Sequence, residues 1–475
     1  MRNCIVSILF FYLSIGWVSS QEPFQELFST EKVPSIVRRA NVAYDSVSFQ
    51  SGIPHVPLYI ANGIVGGSFD HMGFQSRPNT GMPHGRTALG YIGHYDLADH
   101  GSHVQFPLAI IDARFADGST ILNLMDAHDY KQELDVYTGT LNTAYDLFGK
   151  TTINSFAHQA IPNLFVMKID RKTSQRGKEL VLTIECDASG AQNNHFNRKV
   201  DPVTVDFDVQ EDLVRVKSKT DITETNWIIQ CTGAGFETNG TTLTVKLQNG
   251  QNLLKVLVKR DDCPGEEVLE NSYEDLYQLH SKAWEDAWQT SWVDFPDDVA
   301  QDTWTRMKYY TICNFPPLTE KPMIPTGLNS NIWGFTFPQD VYYVAENLPR
   351  LGHFERSEKA LQYWLDIVPE IKRYCERIIG VEGVYYPWEM PFQDIDKFEI
   401  DGVKGPNSYQ LHNQAYVAAM VWHYYEITKD QAFLEKYFPI LEEIWQFYAN
   451  ITFLDDERGT FDIYHEHSRG QDEAS

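Results

Sequence analysis

Residues 331–343 read NIWGFTFPQDVYY, a run of aromatic rings closed around one carboxylate, Asp340. A second cluster, GVYYPWEMPFQD, sets Tyr385, Tyr386 and Trp388 beside Glu389. A third, NSYQLHNQAY, puts Gln410, His412 and Asn413 at the mouth of a helix. Flat rings beside carboxylates suit sugars. The C–H faces of a pyranose stack on aromatic rings, while its hydroxyls seek strong acceptors. Cleavage of a glycosidic bond then uses two carboxyl groups on opposite sides of it. In this chemistry Trp333, Phe335 and Phe337 offer rings and Asp340 offers an acceptor. Any one cluster is more often packing or loop structure than a site. Three of them in the loops of one helical region point to a carbohydrate site.

The bulk properties agree with an uncharged partner. The 475-residue chain carries 65 acidic and 39 basic side chains, a formal net charge of −26. Such a surface repels phosphate backbones and anionic polymers, which argues against a nucleic-acid partner. Its 43% apolar content and its length allow two or three domains with a sizeable core. Residues 1–20 have the pattern of a cleavable secretion signal: Arg2, an apolar stretch over Ile5–Val18, then small residues before Gln21. The expected location is secreted or periplasmic, with no membrane span. Beyond the signal remain Cys186, Cys231, Cys263, Cys313 and Cys375, an odd number without metal-ligand spacing, read as structural. No metal or cofactor is expected. NGT at Asn239 and NIT at Asn450 are acceptor sequences for N-glycosylation in a eukaryotic secretory pathway.

Two periodicities divide the chain. From about Glu22 to Lys259, apolar and polar residues alternate in short runs broken by turn residues, which predicts a large antiparallel β domain over 21–263, of two packed sheets. Residues 264–295 predict a helical linker, with Leu276, Leu279, Trp284 and Trp288 on one face. From 296 to 475 the pattern is helical. DDVAQDTWTRMKYYTICNF reads as one helix, and SEKALQYWLDIVPEIKRYCERII as another that bends or restarts at Pro369. NQAYVAAMVWHYYEIT and AFLEKYFPILEEIWQFYANI make a further pair. Helix pairs alternating with long loops predict an α/α toroid. GTFDIYHEHSRGQDEAS reads as a polar loop without an element to dock, and the helices number about half those of a closed double ring. The helical domain is therefore expected to be incomplete and the chain inactive alone.

The order and spacing of four segments resemble glycoside hydrolase family 65 and its relatives. These are HSKAWEDAWQTSW, PTGLNSNIWGFTFPQD, YYPWE and QLHNQAYVAAMVWHYYEITKD, and the likeness extends from YIANGIVGGSFDHMG to the end. The resemblance implies an N-terminal β-supersandwich, a helical linker and an (α/α)6 barrel that cleaves α-glucosides by hydrolysis or phosphorolysis. It implies sugar contacts at Trp333, Phe337, Gln339, Asp340, Trp388, His412 and Asn413. The sequence departs from the family at two places. Gln410 stands where the family has its proton-donor glutamate, and an amide has no proton to give at a useful pKa. Pro338-Gln339 stands where the family has Trp-Asp, with Asp340 one position later.

Three readings follow. The leading one is an exported, inverting glycoside hydrolase of neutral, α-glucosidic sugars, with Glu389 as general acid and Gln410 beside the scissile bond. Asp472 and Glu473 are weaker acid candidates. The second is a sugar-binding homologue without catalysis. The third is a polysaccharide lyase using His412, Asn413 and Tyr416, which the β-then-α domain order and the net charge of −26 disfavour.

Overall fold

The computed structural model describes residues 30–46, 56–76, 87–97, 103–105, 107–119, 127–189, 201–318, 327–328, 336–388, 390, 395 and 410–463. The signal-like segment, Trp333, Phe335, Glu389, Asp472 and Glu473 lie outside the described residues.

The alternating half forms strands, as its period requires. Nine of them make one antiparallel sheet. In spatial order they are Val42–Tyr44, His128–Asp135, Thr140–Asp146, Lys150–Ala157, Leu164–Lys172, Gly250–Val258, Glu224–Cys231, Leu213–Lys219 and Thr204–Val209. Four more, Gly235–Asn239, Thr242–Lys246, Leu180–Glu185 and Ile110–Phe115, make a second sheet. Along Leu213–Lys219 the side chains of Val214, Val216 and Ser218 are buried while those between them are not, the signature of a sheet with one covered face. Phe165, Met167 and Ile169 of the large sheet share one core with Leu182, Ile184 and Leu243 of the smaller one.

One early segment departs from the strand pattern. Val33–Arg38 is a short helix, α1, because Pro34 opens its first turn and Val33, Ile36 and Val37 bury one side. The following Arg39 pairs with Asp294 at 2.8 Å and Asp298 at 2.7 Å, tying the chain's start to its linker.

The linker helix α2 spans Tyr273–Gln289, and Ser272 caps it by accepting from the Asp275 N–H. Its buried stripe is Leu276, His280, Trp284 and Trp288, one residue every four. Leu279, expected on that face, is 51% exposed; His280 takes the place because the i, i+4 row, not hydrophobicity, decides which side chains point inward. Trp288 Nε1 donates to the carbonyls of Val136 and Tyr137 at 3.2 and 3.1 Å, so the stripe docks on the β region. Gly139 has φ +59°, and a Cβ there would lie 2.2 Å from Trp284 Nε1, so glycine meets both demands at once.

Helix α3, Asp298–Asn314, is capped by Asp297 and adds Tyr309, Ile312 and Cys313 to the β-region core. Tyr309 stacks on Trp284 at 5.1 Å between centroids. The remaining helices are α4 (Pro338–Ala345), α5 (Asn347–Arg350), α6 (Phe354–Asp366), α7 (Val368–Ile378), α8 (Asn413–Thr428) and α9 (Gln431–Ile451). They enclose a second core that includes Leu361, Trp364, Ile371, Cys375, Val417, Val421, Tyr437, Ile444 and Phe447. Pro369 sits in the first turn of α7, so the long apolar pattern restarts there. One departure concerns an expected loop. Thr452–Asp455 and Thr460–Ile463 form a hairpin after α9, where a polar loop was expected, and Ile463 packs on the helical core. Among the described residues no helix is long and apolar enough to cross a membrane. The five cysteines among the described residues are free, four of them buried.

Candidate functional site

Three loops meet where α4 and α8 begin. Thr336 accepts from the Met390 N–H at 2.9 Å, a lone β-bridge that joins the first aromatic cluster to the second. Alongside it, the rings of Phe337 and Trp388 lie 5.0 Å apart, inclined at 53°. On the other side His412 Nε2 lies 3.3 Å from Gln339 Oε1, so its Nε2–H tautomer donates to the amide. The third cluster thereby reaches the first. Gln410, His412 and Asn413 are held in turn by α9, whose Tyr448 hydroxyl donates to the Leu411 carbonyl at 2.6 Å.

Local sequence explains the placement. Pro338 starts α4 at a position where a missing N–H costs nothing, and Phe337 forms its boundary in extended conformation. Asp340 falls in the first turn, where the helix dipole favours an anion. The aromatic loop before Met390 is pinned from below. Gly383 has φ +113°, and a Cβ on it would strike the Phe447 backbone at 2.5 Å. Tyr385 and Tyr386 are fully buried; Tyr386 packs edge-on to Trp364 and Tyr385 stacks on Tyr374. These two rings belong to the helical core and offer no face to a ligand, contrary to the sequence expectation. The run of rings in that loop is largely a packing device, and Trp388, itself 4% exposed, is the ring that it delivers to Phe337.

Electrostatically the described site is polar but reluctant to carry charge. Burial raises the Asp340 pKa above the ordinary carboxylate value, opposed by its own backbone N–H. Burial lowers the His412 pKa, so the imidazole is neutral at pH 7. Tyr416 of α8 meets Tyr343 of α4 hydroxyl to hydroxyl at 3.2 Å, and its pKa is pushed up to about 12, mainly by burial and that hydrogen bond, with Asp340 a smaller repulsive neighbour. A phenol held protonated so firmly is a poor base, which weighs against the lyase reading. Asn413 and Gln414 are both fully buried. Gln414 was not foreseen; the signal for it was the α8 stripe, in which 414, 417, 421 and 424 share one face.

Asp340, Phe337, Gln339, Trp388, Gln410, His412 and Asn413 are thus gathered at one end of the α4–α8 pair. Glu389 lies outside the described residues, but its neighbours Trp388 and Met390 both contact the α4 entry. Among the described residues no group of His, Cys, Asp and Glu could hold a metal ion. Two cavities of about 730 and 840 Å³ lie elsewhere, one against the outer strands of the large sheet and one between α7 and α9. Their charged rims are largely paired internally, as in Arg215–Glu266 and Lys372–Glu443, so the converging loops remain the better site.

The chain thus joins an antiparallel β region to packed helices, with rings and amides gathered at the helix mouths. No protein-family model matches the chain. It is 25% identical over 222 residues to an uncharacterized glycosyl hydrolase of Mycobacterium tuberculosis, covering 44% of this chain and 16% of that protein. It is 25% identical over 177 residues to a kojibiose hydrolase of Mucilaginibacter mallensis, covering 37% of this chain and 26% of that one. A solved structure from the human microbiome, assigned provisionally as a kojibiose phosphorylase, matches with a TM-score of 0.69 at 14% identity, over 90% of this chain and 61% of its own. That likeness shows the fold. The matched stretches span about a quarter or less of the curated relatives' length.

Proposed function

We propose that this chain belongs to an exported glycoside hydrolase that cleaves neutral, α-glucosidic sugars with inversion. The observation that carries the reading is the meeting of three separate ring-and-amide clusters at one place: Thr336 on Met390, Phe337 on Trp388 and Gln339 on His412. Residues 21–263 serve as the β-supersandwich unit, 264–295 as the linker and 296–475 as part of an (α/α)6-type ring whose helix mouths hold the sugar. Asp340, half-buried and short of counter-charges, accepts hydrogen bonds from sugar hydroxyls. Trp333 and Trp388 supply ring surface, with the buried Phe337 ring backing Trp388, and Gln339, His412 and Asn413 supply neutral hydrogen-bonding groups. Glu389 is the general acid, protonating the leaving oxygen while a water attacks the opposite face. Asp472 and Glu473 are the alternative acids; they follow the hairpin whose Ile463 packs on the helical core.

The test is product release from kojibiose and other α-linked glucosides by the full-length protein, with and without phosphate. Glucose release independent of phosphate, abolished by Glu389→Gln, supports the assignment. Loss in Glu473→Gln with Glu389→Gln active moves the acid to the tail. One observation favours a second reading, a binder without catalysis: Gln410 and Gln339 are amides. Binding without turnover by the full-length protein would establish that reading.

A further inference from the structure

Helix α8 has a buried stripe that changes character along its length. Toward its C-terminal end the stripe is apolar: Val417, Val421 and Tyr424 pack into the helical core. At its N-terminal end the same side carries amides, Asn413 and Gln414, both 0% exposed. Asn413 Nδ2 and Oδ1 and Gln414 Nε2 and Oε1 all lack a hydrogen-bond partner among the described residues. Such groups are rare in folded chains, because each forfeits its bonds to water and receives nothing in return. A Leu or Met at 414 would continue the apolar stripe at no such loss. The amides stand at the end of α8 that directly follows His412, the residue that reaches Gln339 of the α4 entry.

We infer that Asn413 and Gln414 are specificity-determining groups that read an uncharged, polyhydroxylated ligand. This rests on the sugar-site reading above. Each amide offers two donors and an acceptor with two lone pairs, so together they answer hydroxyls, which both donate and accept. A carboxylate or phosphate would leave the amide oxygens facing negative charge. Asp340, which resists ionisation through burial, points to the same class of ligand.

Gln414→Met keeps length and removes both polar atoms; Asn413→Leu is the second variant, should methionine be accommodated badly. The full-length protein and both variants are measured for thermal melting without sugar and for kojibiose and glucose binding by calorimetry. The expected result is a melting temperature unchanged or raised by about 1–3 °C, with sugar affinity weakened about 10-fold or more. Unchanged affinity in both variants would overturn the inference while leaving the sugar site standing. A marked fall in melting temperature in both would also overturn it, since the amides would then have structural partners such as buried water. If the unmutated protein binds neither sugar, the reading of the site falls and this inference with it.

Discussion

Asn62 and Asn413 are both fully buried asparagines, one in the β region and one in the site. Asn62 uses everything it has. Its Nδ2 donates to the carbonyls of His158 at 2.9 Å and Pro162 at 3.0 Å, and its Oδ1 accepts from the N–H groups of Ile64 and Val65, both at 2.9 Å. Asn413 uses neither of its polar atoms. The first amide is a fastener between two loops; the side chain of the second has no partner among the described residues. At the junction of β region and helices, Lys308 donates to Thr290 Oγ1, Ser291 O and Ser291 Oγ between 2.6 and 3.1 Å, and Trp288 to two carbonyls. The contrast is between these particular groups, not whole regions: Asn163 Oδ1, Ser155 Oγ and Trp284 Nε1 of the scaffold also lack a partner among the described residues, but only at Asn413 and Gln414 is every polar atom of two adjacent side chains left open.

The largest expected effect tests the scaffold side through acid. Burial holds the imidazoles of His71, His94 and His158 neutral, with pKa values lowered to about 4, and that of His353 to about 3. Their unfolded value is near 6.5. Between pH 6.5 and about 4 the unfolded chain therefore takes up protons that the folded one refuses, so the stabilisation is full above 6.5 and lost as pH falls toward 4. Each group contributes a slope of about 1.4 kcal/mol per pH unit in that window. Chemical denaturation followed by circular dichroism should show the midpoint dropping steeply below pH 6. A midpoint constant from pH 7 to 4.5 would mean that these rings are solvated in the folded chain and that burial does not hold them neutral.

The paired asparagines give the next test. Asn62→Leu strands two buried N–H groups and two carbonyls and should destabilise by about 4 kcal/mol, whereas Asn413→Leu should change stability by less than about 1 kcal/mol. Equal losses in urea denaturation would erase the contrast. Gly139→Ala probes the junction without touching a hydrogen bond. It places a methyl at φ +59° against Trp284 and should cost about 2–3 kcal/mol. A wild-type midpoint would show that the linker helix yields.

Much of this was legible in the sequence, for identifiable reasons. The period-two half became strands and the period-3.6 half became helices because most of each pattern is paid out locally, residue by residue. The restart at Pro369 followed from proline alone. The three clusters were legible as chemistry, and their convergence is what the fold added. What failed needed tertiary contacts. Leu279 and His280 are neighbours with equal claims until the β region chooses a face of α2. Tyr385 and Tyr386 look like a ligand wall until Trp364 and Tyr374 are seen against them. Gln414 looked like any helical glutamine because the sequence does not say that its polar atoms meet no partner.

The smallest effect bears on Asp340, where the contrast is sharpest within one side chain. Its carboxyl is half-buried, and the contact that favours its charge is its own backbone N–H. Its folded pKa lies above the unfolded value, so at neutral pH the native state bears the cost of holding a charge away from water. That cost is relieved as pH falls through the folded pKa and has vanished below the unfolded one. Asp340→Asn removes the charge and keeps the shape. It should therefore raise the melting temperature at pH 7 by about 1–2 °C, an advantage that shrinks to nothing near pH 4. The same substitution should lower kcat/KM of the full-length protein on an α-glucoside about 10–100-fold, the value of one charged hydrogen bond to a sugar hydroxyl. A scaffold carboxylate would behave in the opposite way, losing stability on substitution and leaving turnover intact. Melting curves at pH 7 and pH 4, set beside initial rates, separate the two.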